Sequence, residues 1–439
     1  MDREADRLLS ESQLAPLCQN LPSSDELDTA SIPNRLIQRV GEFKRYVSKN
    51  ICFVTETYPP EVNGVALTLR QLVSSLIERG HTVSVVRPHQ SSRYSNDIAT
   101  TTIEVRGVPL PGYRAVQVGL PASSLLKRFW AQSRPDVAYV ATEGPLGWSA
   151  VKTAQRLRIP TLSGFHTNFD GYARHYRLGW LQPLVFRYLR RFHNLTAATL
   201  TATPDLRVAL QKHGFKNLLV VGRGVDSSLF SPDRRSEQLR REWSLGPQDL
   251  AAIYVGRLAP EKNIELSIAA FRQMRQLSAG LRFVAVGDGP SRTMLERKHP
   301  DLIFSGRQTG SALAQHFASA DMFLFASDTE TFGNVTLEAM ASGLAVVAYN
   351  YAAAKRHIVH GETGMLAPFK DEAAFVAAST TLVRDRKLLR SIQLNARRYI
   401  TKVGWQRVVD DFKAALTLAQ TRTRQMSGGV SVHHKFAVT

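Results

Sequence analysis

The chain has 439 residues, 44% of them hydrophobic, enough for roughly two or three globular domains. Its only cysteines, Cys18 and Cys52, exclude a disulfide framework and fit a reducing compartment, and no apolar run reaches the roughly 18 residues of a transmembrane helix. The net charge of +19 favours an anionic partner; zinc-finger spacing and an RNP-type aromatic box are missing, so a phosphorylated small molecule or an anionic membrane face is expected and nucleic acid is not.

Residues 1–48 are polar and aperiodic and read as a mostly disordered extension, with a helix near 33–46. The opening MDREADRLLSESQLAPL has no basic stretch before an apolar core, so it is not a signal peptide, and a cytoplasmic protein is expected. Ile51 to Thr55 is the first strand and runs into TETYPPEVNGV. Asn63-Gly64 permits positive φ, and a helix follows with Val65, Leu69, Leu72, Val73 and Leu76 at helical spacing, closed by Arg79-Gly80. A glycine loop between a strand and a helix suits close approach to a diphosphate, although an ordinary βα turn reads the same way. GxGxxG is absent, so an NAD-type site is not supported.

Thr82 to Val86 is the next strand, and residues 90–120 read as loop-rich. A strand over 137–140, a helix over 145–157 and a strand over 161–165 follow, the last delivering His166 to the mouth of a sheet. There its imidazole would position or polarise a reacting group, or serve structure alone. Residues 170–193 combine an apolar stripe (Trp180, Leu181, Leu184, Val185, Tyr188) with Arg174, Arg177, Arg187, Arg190 and Arg191. Such a segment suits an anionic bilayer surface; the competing reading is a helix whose stripe is core. A strand over 199–203 and a helix over 204–213 lead to VVGRGVDSSLFSPDRR, the best linker in the chain.

The alternation restarts at Leu250. Strands at 253–256, 281–286 and 302–304 each lead into a polar loop and a helix. The first of these loops carries Arg257, Glu261 and Lys262; the two cations suit a diphosphate leaving group, unless Glu261 merely pairs with one of them. Met322 to Ala326 and Ala345 to Ala348 are buried-strand runs. Between them lie Glu330 in a loop and a helix capped by Asn334, carrying Glu338 and ended by Gly343. Backbone amides near Gly333 and Asn334 could hold an anion, Glu330 the hydroxyls of a sugar and Glu338 those of a ribose. Asp328-Thr329-Glu330 is weak evidence for a metal, and with two cations at hand none is needed. The tail from 371 to about 420 is helical, Trp405 to Leu418 crosses back to the first domain, and residues 423–439 fray.

PPEVNGV, FHTNF, VGRLAPEKN, VGDGP and SDTETFGNVTLEAM, spread over about residues 50–418, resemble the retaining glycosyltransferases of family 4, nearest the GDP-mannose-dependent α-mannosyltransferases and the sulfoquinovosyl-lipid synthases. The resemblance implies an α/β GT-B fold: two Rossmann-like parallel-sheet domains facing across a cleft. The expected domains span 49–226 (with a crossover helix at 405–420) and 227–404. It further implies a hexosyltransferase without metal or cofactor that takes a nucleotide-sugar donor, GDP-mannose by preference, and a lipid or glycan acceptor. In it Gly64, Arg257 and Lys262 would face the diphosphate, Phe332, Gly333, Asn334 and Glu338 the donor, and His166 and Glu330 the transferred sugar. Many relatives carry a Gly-Gly pair where this chain has Tyr351-Ala352-Ala353-Ala354, which leaves the sugar open. A soluble glycan acceptor, a UDP-sugar donor, and a basic nucleic-acid-binding or scaffold protein with a degenerate nucleotide pocket are the alternatives.

Overall fold

The structure, a computed structural model, describes residues 48–61, 63–90, 98–110, 113–166, 182–330 and 332–428. The extension expected over 1–48 lies outside these residues but for Ser48. The first half runs β1 (Asn50–Val54), α1 (Gly64–Glu78), β2 (Thr82–Pro88), β3 (Thr101–Val105), β4 (Gly107–Leu110), β5 (Tyr113–Gly119), α2 (Ser123–Gln132), β6 (Val137–Val140), α3 (Pro145–Leu157), β7 (Thr161–Gly164), α4 (Gln182–Asn194), β8 (Ala198–Thr201), α5 (Pro204–Lys212) and β9 (Leu218–Val220). The second runs α6 (Glu237–Glu242), β10 (Ala251–Val255), α7 (Ile264–Leu277), β11 (Arg282–Val286), α8 (Arg292–Lys298), β12 (Ile303–Gly306), α9 (Gly310–Ser319), β13 (Met322–Phe325), α10 (Asn334–Ala341), β14 (Ala345–Tyr349), α11 (Ala352–His357), β15 (Met365–Ala367), α12 (Glu372–Arg384), α13 (Arg386–Ile400) and α14 (Trp405–Gly428).

Two parallel sheets result. The first has seven strands in the order β3-β2-β1-β6-β7-β8-β9, the second six in the order β12-β11-β10-β13-β14-β15. Helices cover both faces of such sheets, so their inner strands are apolar throughout: Ile51, Cys52, Phe53 and Val54 are all fully buried, as are Met322, Phe323 and Leu324. The strand order reverses between β1 and β6 in one sheet and between β10 and β13 in the other. At such a reversal the flanking crossovers lie on opposite faces, leaving a crevice at the carboxyl ends of the strands.

Residues 90–120 are not loop throughout. They supply β3, paired parallel to β2, and the antiparallel hairpin of β4 and β5. β9 and β15 were likewise not expected and add an edge to the first and the second sheet. The final helix reaches Gly428, past the point where fraying was expected, and residues 429–439 lie outside the described set.

α14 packs on the first sheet. Phe412 stacks on Phe53 at 5.8 Å and meets Tyr139 edge-on at 5.1 Å, and Val408, Val409, Leu416 and Ala419 join the same core. Arg79 pairs with Asp410 at 2.6 Å. The two lobes also meet where Lys355 of α11 pairs with Asp205 of α5 at 2.6 Å and Arg356 donates to the Ala202 carbonyl at 3.2 Å.

Candidate active site

The crevice of the second sheet is built from the loops after β10 and β13, the pair flanking its reversal. The first loop ends in a 3-10 turn, Pro260–Lys262, which turns Lys262 toward the second. The Lys262 ammonium lies 2.5 Å from Glu330 Oε1 and 2.8 Å from the Thr329 carbonyl. Ser327 donates to the same Glu330 oxygen at 2.9 Å, and the Thr329 hydroxyl donates to the Glu261 carbonyl at 3.3 Å. Arg257, the more exposed of the two cations, pairs with Glu261. Asp328 turns away from this cluster toward Lys370 at 4.0 Å.

α10 begins beside this pair. Phe332 is buried, and Gly333 takes the cap position at φ +91°, a left-handed conformation that favours glycine. Asn334 is therefore not the cap expected from the sequence; it is the first helical residue and makes no side-chain capping bond. Its Nδ2 instead lies 3.7 Å from where a Cβ on Gly64 would stand. Gly64 opens α1, capped by Asn63, whose side chain accepts the N–H groups of Val65 and Ala66 at 3.1 and 2.9 Å. Asn63 is extended at φ −145°, so the positive φ expected there is not used. Two helix N-termini, one from each lobe, thus approach one another, and both favour an anion.

Glu338 lies a turn further along α10. No hydrogen bond or ion pair among the described residues engages its carboxylate, and burial pushes its pKa up to about 7. A half-buried acid with unused acceptor capacity matches a ligand that brings hydroxyl donors.

His166 follows β7 at the same edge of the first sheet. Its Nε2 is 2.9 Å from the Tyr139 hydroxyl and its Nδ1 2.9 Å from the Arg223 guanidinium. Gly164 makes room for this contact, since a Cβ there would stand 2.3 Å from the tyrosine oxygen. Burial, then the charge of Arg223 and His193, hold the imidazole well below its ordinary pKa. Both ring nitrogens are engaged by the protein, so the ring reaches a sugar only once a partner releases it.

Some residues around these loops escaped the sequence reading. The Tyr351 hydroxyl donates to the Glu330 carbonyl at 3.0 Å, and the Ala353 amide to the Phe332 carbonyl at 2.7 Å. The segment that lacks the Gly-Gly pair therefore braces the Glu330 loop, and Ala352 holds φ +50° within it, where a glycine would be unstrained. At the first sheet's reversal Glu56 accepts the Leu146 N–H of α3 at 3.1 Å. Burial pushes it up to about 7 against that hydrogen bond, with Glu143 adding to the rise. The signal for Glu56 was its place in the loop after β1, and that for Tyr351 the missing Gly-Gly pair; Arg223 carried none.

Of the 170–193 segment, 170–181 lies outside the described residues. In α4, Leu189, Phe192 and His193 face inward, whereas Leu184, Val185 and Tyr188 are 54%, 44% and 39% exposed, beside exposed Arg187, Arg190 and Arg191. These three apolar side chains are not core. Trp148 of α3 stacks on Tyr188 at 5.3 Å, with Arg191 and Lys152 over its ring at 5.9 and 5.8 Å.

Comparison with known proteins agrees with this architecture. Residues 62–229 match the family described as Glycosyltransferase Family 4, and residues 235–399 that described as Glycosyl transferases group 1. A GDP-mannose-dependent alpha-mannosyltransferase of Mycolicibacterium smegmatis is 31% identical over 82% of this chain and 95% of its own. An alpha-monoglucosyldiacylglycerol synthase of Streptococcus pneumoniae is 28% identical over 67% of this chain and 70% of its own. Among solved structures, Anabaena HepE in complex with UDP and glucose superposes with a TM-score of 0.66 at 18% identity, covering 84% of this chain and 99% of that one. The two-lobed architecture is the GT-B fold.

Proposed function

This chain belongs to the glycosyltransferases of family 4 and is a hexosyltransferase, and from that premise we propose that it moves mannose from GDP-mannose onto a lipid or lipid-linked acceptor at a membrane surface, with retention of anomeric configuration. The observation that carries this reading is the Lys262–Glu330 pair beside the N-terminus of α10. Without donor the two charges neutralise each other. With donor each takes a new partner, Lys262 a phosphate oxygen and Glu330 the sugar hydroxyls. Arg257, the opening amides of α10 and the bare backbone at Gly64 complete the diphosphate cradle, and Phe332, Gly333 and Asn334 wall it. Glu338 accepts the ribose hydroxyls.

Transfer breaks the bond from C1 to the diphosphate oxygen and forms one from C1 to the acceptor oxygen on the same face. The acceptor's proton passes to a phosphate oxygen of the departing diphosphate. Negative charge that gathers on the leaving group meets cations and helix dipoles already in place, so little reorganisation is needed. His166, once released by a partner, stands on the sugar side.

The names of the relatives support a mannosyl donor and a diacylglycerol-type acceptor, and the exposed apolar and cationic face of α4 supports a membrane surface. The neighbour solved with UDP and glucose favours a second reading, a UDP-sugar donor. The test is transfer of labelled mannose from GDP-mannose into a lipid extract. Lys262→Ala and Glu330→Gln should each lower turnover by about 10²-fold or more while melting like the parent protein. Parent-like turnover in either variant would remove the reading.

A further inference from the structure

We propose that Arg223 is a positioning residue for transfer: delivered by the connection between the lobes, its guanidinium holds the His166 imidazole by Nδ1 and so fixes the ring's proton on Nε2. This rests on the reading that His166 serves the transferred sugar.

A guanidinium has donors and no acceptor, so the nitrogen it meets at 2.9 Å presents a lone pair. The imidazole is then neutral, and its Nε2–H donates to the Tyr139 oxygen, also at 2.9 Å. Among the described residues, the groups that face the ring include Arg223 from the connection, Tyr139 from β6 and His193 from α4, with the Glu143 carboxylate acting on Tyr139. A proton on Nδ1 would set N–H against N–H, so the imidazolium is disfavoured while Arg223 is seated. The direction of the His166 shift agrees.

The backbone on either side of Arg223 lies against other elements. A Cβ on Gly222 would stand 3.4 Å from the Arg356 guanidinium of α11, and one on Gly224 2.9 Å from the Trp405 amide that opens α14. The next residue, Val225, bridges to Gly404. Rotation of the lobes therefore moves the backbone that carries Arg223, and the seating of Arg223 reports lobe position to His166. Withdrawal frees Nδ1 for a sugar hydroxyl and returns the ring toward ordinary basicity.

The experiment is nitrogen-15 NMR of the full chain with labelled histidine, together with the pH profile of kcat/KM. His166 should be neutral with its proton on Nε2 from pH 8 down to pH 6. In Arg223→Met it should become a mixture of tautomers and its pKa should rise, short of the ordinary histidine value of about 6.5 because the ring stays buried, carrying the acid limb of the profile upward with it. Arg223→Lys, which keeps one cationic donor, should fall between. A parent His166 protonated on Nδ1 overturns the proposal, and so does an Arg223→Met protein with unchanged tautomer and acid limb. If Arg223→Met does not fold, the parent spectrum and Arg223→Lys decide. GDP binding, read by melting, separates the two ideas: its absence in the parent protein defeats the donor reading whatever the tautomer.

Discussion

Glu338 is an acid placed where acids are costly. Its half-buried carboxylate has no partner among the described residues, and burial pushes its pKa from the ordinary carboxylate range up to about 7. Between those two values the folded chain binds a proton that the unfolded chain has released, and stability falls as pH rises through that window. Glu338→Gln should therefore melt higher than the parent at pH 8, by the equivalent of about 1–3 kcal/mol, and equally at pH 4.5. The same variant should bind donor more weakly. In the parent protein donor affinity should fall as pH drops below about 7, because the ionised form is the better acceptor for ribose hydroxyls. Parallel melting curves and donor titrations at the two pH values check both outcomes. Arg257, Lys262 and Glu330 stood out in the sequence as charged residues just past buried-strand runs, the edge where an open parallel sheet binds ligands, and Glu338 as an acid on the helix that follows. Arg223 was hidden in a stretch whose glycine, serine and aspartate composition reads as linker. Asn334 was misread as a cap because local propensity says nothing of the Gly333 backbone or of Gly64 in the other lobe.

α4 carries two kinds of information. Its inward face, Leu189 and Phe192, is ordinary core, and its outward face keeps Leu184, Val185 and Tyr188 in contact with solvent amid arginines. Each apolar side chain moved from water into a bilayer contributes about 1.5–3 kcal/mol, and each nearby cation adds about 1 kcal/mol at an anionic surface. Replacing Leu184 and Val185 together with Asp should reduce co-sedimentation with anionic vesicles at low salt by about 100-fold. High salt should weaken the parent's binding. Unchanged partitioning of the double variant would detach α4 from the membrane. At this scale the βα rhythm was legible wherever apolar runs alternate with helix-period segments. β3, β4, β5, β9 and β15 were not, being short or at sheet edges, where half-exposed residues blur the buried-strand pattern. The length of the loop-rich stretch over 90–120 was itself a sign of elements within it, since structureless connections of that size are uncommon inside compact domains.

Across the whole molecule, two parallel sheets each open a crevice at their reversal point, and the chain crosses between the lobes through the 221–230 connection and again as it enters α14. The return of α14 to the first lobe was legible because Trp405 to Leu418 keeps a helical apolar period after the second sheet is complete; its seat on Phe53 and Tyr139 was not, since nothing local fixes a partner so distant in sequence. The contact of Gly64 with Asn334 brings the two lobes' helix N-termini together, and the cations of the second lobe stand beside them. That convergence is the basis for a sugar nucleotide held between the lobes. The most direct measurement is thermal unfolding of the parent protein against a panel of GDP, UDP and ADP sugars. GDP-mannose should raise the melting temperature in proportion to the logarithm of its concentration, and above the UDP and ADP sugars, because a ligand bound only by the folded state stabilises it by mass action. A melting temperature unmoved by every member of the panel would contradict the account.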